Sequence, residues 1–139
     1  MVTLSANGTE QTQEFEVFMN PNETYSKEDA EDRFALWMKI RDKYSEVSKA
    51  IIEAQELAKN TDSEELKKAA KELESSMTAV GTTLVQIANE RSKLLAKIQG
   101  VSEMLISSEG PPSQGAKEAW LDYEAEIDAE LAKWQAAKK

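Results

Sequence analysis

A chain of 139 residues with 40% hydrophobic side chains has room for one domain with a modest core. Its 26 acidic against 17 basic side chains leave a net charge of -9, which repels nucleic-acid phosphate and anionic lipid, and the basic residues are scattered rather than gathered into a stripe. Neither nucleic-acid binding nor a membrane span is expected, since no apolar run approaches the roughly 18 to 20 residues a span requires. The N-terminus also lacks the basic-then-apolar order of a signal peptide, so a soluble chain is expected. The absence of histidine and cysteine removes the commonest general base, the commonest metal ligand, disulfides and thiolate sites.

Composition changes at about residue 25. Residues 1–25 carry four glutamates and no lysine or arginine, whereas acids and bases interleave from Lys27 onward, as on solvated helix faces. In the first part, VTLS and FEVFM flank Asn7-Gly8, the dipeptide that most readily supplies the two positive φ angles of a type I′ hairpin turn. Phe15, Val17 and Met19 alternate with Glu14, Glu16 and Phe18, the period of a strand with one apolar face. A lone hairpin buries almost nothing, so these strands are expected to want a partner sheet. Asn20-Pro21 ends the strand, because proline cannot donate to a ladder.

The remainder, residues 26–139, is expected to be a helical bundle. Ser26 is the predicted N-cap of a first helix reaching about Lys59, with Asp29 in the place of a capping-box acid. Trp37, Ile40, Tyr44, Val47, Ile51, Ala54 and Ala58 recur at spacings of three and four and form its buried stripe, widened by Phe34, Met38 and Ile52. Asn60 to Ser63 is a polar turn, with Asp62 and Glu65 repeating the cap logic for a second helix antiparallel to the first. Its stripe runs through Leu66, Ala70, Leu73, Met77, Val80, Leu84 and Ile87, then Leu94, Ile98, Val101 and Leu105, interrupted by Arg91. One middle helix from about 62 to 107 would be about 65 Å long, and it would kink or break at Gly81 or at Asn89-Glu90-Arg91-Ser92. The fold expected is therefore mainly α: an antiparallel three-helix bundle with a long, kinked middle helix, or four helices if it breaks. Gly110, Pro111 and Pro112 end that element, Ser113 caps the last helix, and Ala116, Trp120, Tyr123, Ile127, Leu131 and Trp134 form its core stripe.

Candidate chemistry centres on the last helix, where Asp122, Glu124, Glu126, Asp128 and Glu130 invite a glycosidase acid and nucleophile pair or a carboxylate metal site. A solvated face explains them better. Di-metal carboxylate bundles add histidines this chain lacks, and carboxylates on one convex helix lack the desolvation that raises a catalytic pKa. Trp37, Trp120 and Trp134 can stack on sugars, but their stripe positions favour the core. No serine has a histidine to activate it, and no glycine-rich phosphate loop is present. Asn7-Gly8-Thr9 and Asn22-Glu23-Thr24 match the glycosylation acceptor pattern, which is idle outside a eukaryotic secretory route. No catalytic, cofactor-binding or metal-ligating residue is assigned, and no cofactor is expected.

A strand hairpin ending in Asn20-Pro21, a long amphipathic pair, and Ser107-Ser108-Glu109-Gly110-Pro111-Pro112-Ser113 before a last helix ending DAELAKW form one recognisable order. It resembles the C-terminal region of bacterial BNR-repeat, sortilin-like glycosyl hydrolases, in which a β-propeller is followed by a small β-sandwich and a helical tail. Phe15, Val17 and Asn20-Pro21 match the exit from the sandwich, Leu94, Lys97 and Ile98 a later helical segment, and Ser107, Ser108, Gly110, Pro112 and Ser113 the final turn. The family has Asp-Pro-Arg where this chain has Asn20-Pro21-Asn22, and a Gly/Pro-containing loop near Asn89 to Ser92 that is missing here, which favours a joined or merely kinked middle helix.

The resemblance implies that residues 1–25 are the last hairpin of a β-sandwich in a larger secreted, periplasmic or cell-surface protein. It carries no catalytic residue onto this chain. The function it implies is a non-catalytic accessory module whose partners are the preceding sandwich and propeller, or a second copy through the N-terminal strands; it requires exposed apolar surface on Val2, Leu4, Phe15 and Val17. The alternative is a free-standing helical adaptor with a self-contained hairpin and an apolar groove for a partner helix. A carboxylate enzyme is the remaining class.

Overall fold

The computed structural model describes residues 1–18, 20–78, 93–108 and 110–139. At the N-terminus, β1 (Val2–Ala6) pairs antiparallel with β2 (Thr9–Gln13), with Ala6 opposite Thr9 and Val2 opposite Gln13. Asn7 and Gly8 have φ angles of 51° and 76°, the left-handed pair that the type I′ turn demands. The turn falls where expected, but the second strand does not. A two-residue turn fixes the register at once, so β1 is used up opposite Gln13, and Phe15 to Phe18 have no strand left to pair with. They form no regular structure, and Met19 lies outside the described residues. Asn20 then closes a polar turn, its Oδ1 accepting from the Asn22 N–H at 3.1 Å and its carbonyl from the Glu23 N–H at 3.0 Å.

Four helices follow among the described residues: α1 (Lys27–Asn60), α2 (Glu64–Met77), α3 (Leu94–Ser107) and α4 (Gln114–Ala137). The capping box at α1 is complete, with Ser26 Oγ accepting from the Asp29 N–H at 3.1 Å and Asp29 Oδ2 accepting from the Ser26 N–H at 2.9 Å. Ser113 caps α4 as expected, accepting from the Ala116 N–H at 3.1 Å. At α2 the cap is Ser63 rather than Asp62; its hydroxyl accepts from the Leu66 N–H at 3.3 Å.

The long middle helix is not formed. Thr78 is extended (φ -123°, ψ 149°) and so is Lys93 (φ -77°, ψ 167°), so the fold has the four-helix form of the expectation and not the three-helix form. The local cause is a run of hydroxyls: Ser75, Ser76 and Thr78 donate back to the carbonyls of Glu72, Leu73 and Glu74, and the Thr78 N–H also bonds Glu74. Such side chains compete for helix carbonyls and weaken propagation, and this last turn has no basic residue to complement the helix dipole. Gly81, Leu84, Arg91 and the Asn89 to Ser92 stretch lie outside the described residues.

Cross-helix contacts give the directions. Asp32, Lys43 and Glu53 of α1 meet Lys117, Asp128 and Lys138 at distances of 3.9, 2.8 and 2.8 Å, so α1 and α4 run parallel, in step. Gln55 bonds Glu74, Arg33 donates to the Ser108 carbonyl, and Lys97 pairs with Glu126, so α2 and α3 run opposite to both long helices. α2 covers the C-terminal half of α1 and α3 the N-terminal half; the end of α2 at Ser76 and the start of α3 at Lys93 meet the same level of α4. The bundle is thus three rods thick, one rod being α2 and α3 placed end to end.

The core is a single cluster that includes Ile40, Val47, Ile51, Ala54, Leu73, Met77, Ile98, Val101, Leu105, Trp120, Ile127, Leu131 and Trp134. Three expected stripe residues of α1 lie further out. Tyr44 is 42% exposed and Phe34 and Ile52 are also exposed, while Trp37 is half-buried. The buried line of α1 is Ile40, Val47, Ala50, Ile51 and Ala54. Trp37 and Tyr44 sit on its edge, beside the polar Gln99 and Ser102 of α3; Trp37 still packs against the core, while Tyr44 is left exposed.

Candidate functional site

Three of the five carboxylates named on α4 are held in surface ion pairs, while Asp122 and Glu124 have no such pair among the described residues. Glu126 accepts from Lys97 at 3.0 Å, Asp128 from Lys43 at 2.8 Å and Glu130 from Lys133 at 2.5 Å. Among the described residues no group of three or more carboxylates converges as a metal would need. Trp120 and Trp134 are buried, so neither offers a face to a sugar. The ion ladder between α1 and α4 was not foreseen: its partners are 85 positions apart in each pair, a spacing that no single-sequence period encodes.

The open groove between α1 and α4 is lined by Asp42, Glu46, Lys49, Glu53, Asp128 and Leu131. Hydrogen bonds from Lys138 and the Trp134 indole hold Glu53 below its ordinary pKa of 4.5. Bonds from the Ser26 backbone and hydroxyl likewise hold Asp29 below 3.8. Burial alone would lower the Lys43 ammonium, but its bonds to Asp128 and Glu46 outweigh that and raise it above 10.5. The depressed carboxylates stabilise the fold fully above their ordinary pKa values and lose that contribution as pH falls through the lowered ones; the raised lysine contributes fully below 10.5 and loses it as pH climbs through its raised value. Urea midpoints are therefore expected to be level between about pH 5 and pH 10 and to fall on both sides. A midpoint that rises below about pH 4 would contradict these assignments.

The hairpin is the other candidate. Its register puts Val2, Leu4 and Ala6 on one face with Thr9, Gln11 and Gln13. The opposite face is polar, with Thr3 and Thr12 hydroxyls 3.1 Å apart and Ser5 donating to Glu10 at 2.9 Å. Every residue of both strands is exposed, and neither strand packs against a helix among the described residues. Val2, Leu4, Phe15 and Val17 are 55, 66, 56 and 81% exposed, and Phe18 is exposed as well.

A third feature is the groove between α1 and α3, floored by Ile40 and Ile98 and flanked by Trp37, Arg41 and Tyr44. It holds about 330 Å³ and is open to solvent. Comparison with known proteins adds nothing to these surfaces: no protein-family model, no curated protein and no solved structure matches the chain.

Proposed function

We propose that this chain is a non-catalytic accessory module in which the helical bundle is the self-sufficient body and the N-terminal hairpin is the docking element. The observation that carries this reading is the exposure of Val2 and Leu4 on a hairpin that packs against none of its own described helices, and of Phe15 and Val17 in the segment that follows it. Two strands bury too little to be stable alone, so the hairpin gains its stability from a sheet outside the bundle. On the resemblance carried by Phe15, Val17, Asn20-Pro21 and the Ser107–Ser113 turn, the proposed sheet is the β-sandwich of a bacterial BNR-repeat glycosyl hydrolase, with the bundle as its C-terminal module for stability, spacing or assembly.

The alternative reading, a helical adaptor taking a partner helix, is favoured only by the groove beside Trp37 and Tyr44. That groove is short and bordered by Arg41, Gln99 and Ser102.

The test is strand complementation. A β-sandwich domain from a bacterial BNR-repeat glycosyl hydrolase, truncated before its last two strands, is titrated with this chain in a calorimeter. A one-to-one complex with a dissociation constant of about 1 to 10 μM is expected, corresponding to about -7 to -8 kcal/mol. Absence of heat with the chain at about a hundred times that range would contradict the proposal.

A further inference from the structure

We infer that the hairpin enters its partner sheet through the outer edge of β1, leaving β2 as the terminal edge strand; this rests on the docking role proposed above. With Ala6 and Thr9 closing the two-residue turn as a hydrogen-bonded pair, the ladder alternates. Thr3 and Ser5 on β1, and Glu10 and Thr12 on β2, are then the residues whose backbone N–H and C=O turn outward. Two edges are thus open, and their chemistry differs.

β1 reads Val-Thr-Leu-Ser-Ala, without a charge or a proline. β2 carries Glu10, and its continuation adds Glu14, Glu16 and Pro21. Charge and proline are what natural sheets place on edges that must stay unpaired, and a bare uncharged edge is what they leave for pairing. A strand laid against β2 would meet Glu10, and one running on past Gln13 would meet Glu14 and Glu16 as well. One laid against β1 meets only apolar groups and hydroxyls.

The faces point the same way. Val2 and Leu4 share a face with Gln11 and Gln13, so an extended continuation of β2 would bring Phe15 and Val17 to that same side, with Glu14 and Glu16 on the other. The occupant must therefore cover an apolar face as well as an edge. A second copy pairing β1 with β1 contributes five residues from each chain, far below the roughly 1,200 Å² of a stable specific interface, and leaves the Val2 and Leu4 faces uncovered. A two-layer antiparallel sheet covers both: one of its strands pairs with β1, and its facing layer seats Val2, Leu4, Phe15 and Val17.

Proline substitutions separate the edges, because at Ser5 or Thr12 they remove an outward N–H and leave the bonds between β1 and β2 in place. In the same titration against the truncated sandwich, Ser5→Pro in the full chain is expected to weaken binding about tenfold, while Thr12→Pro stays within about threefold of the parent. Amide chemical shifts of Leu4 and Gln11 report whether each hairpin is intact. Should Ser5→Pro disturb it, the pair Thr3→Lys and Thr12→Lys decides, since both lose the same Thr-Thr hydroxyl contact and only the first puts a charge on the β1 edge. Loss confined to the Thr12 variants, or equal for both edges, would overturn the assignment. A parent chain that does not bind the sandwich would instead remove the docking proposal itself, and a sedimenting dimer abolished by Ser5→Pro would give the edge to a second copy.

Discussion

Trp134→Ala is expected to lower the unfolding free energy by about 3 to 5 kcal/mol. The side chain is 1% exposed and lies where α4 crosses α2 and the C-terminal half of α1, near Ala69 and Leu73. Its indole N–H reaches Glu53 Oε2 at 3.4 Å, and the Lys138 ammonium sits 5.6 Å from the ring centroid. Those polar contacts are long and surface-screened, so the loss comes mainly from the cavity left between three helices. Urea unfolding followed by circular dichroism measures it. A loss of less than about 1 kcal/mol would mean that α4 is not seated on its Trp134 face.

A paired comparison tests the corrected face of α1. Leu73→Ala is expected to destabilise by about 2 to 5 kcal/mol, because Leu73 is buried in the core cluster beside α4. Tyr44→Ala, on the rim of the α1 and α3 groove, is expected to cost about 1 kcal/mol or less. Periodicity alone ranks the two residues together. Equal losses from both substitutions would return Tyr44 to the core and reject the exposed rim.

That comparison shows what a sequence period can and cannot carry. Ser26, Ser113 and the Asn7-Gly8 turn were legible because each effect is local, a side chain or a φ angle acting within a few residues. The stripe of α4 was legible because three neighbours cover it along its length, so every third or fourth apolar residue finds a partner. Tyr44 was misplaced because its burial depends on which residues of α3 stand opposite, here Gln99 and Ser102. The end of α2 was missed because the apolar repeat runs on past Thr78, while the hydroxyls of Ser75, Ser76 and Thr78 turn back on the helix carbonyls. The extent of β2 was missed because alternation in Phe15, Val17 and Met19 signals a strand face, but pairing requires a neighbour, and β1 has none left beyond Val2. The candidate docking surface was visible only as a conflict, strand-period apolar residues with nothing in the chain to cover them.

The most direct measurement of the account is the deletion of residues 1–25. If the bundle is self-sufficient and the hairpin serves only to dock, the truncated chain beginning at Ser26 will keep the helical circular-dichroism signal and the urea midpoint of the full chain, and will give no heat when titrated into the truncated β-sandwich. A truncated chain that loses its helices would place the hairpin in the bundle's own core, contradicting the docking role and favouring the adaptor reading.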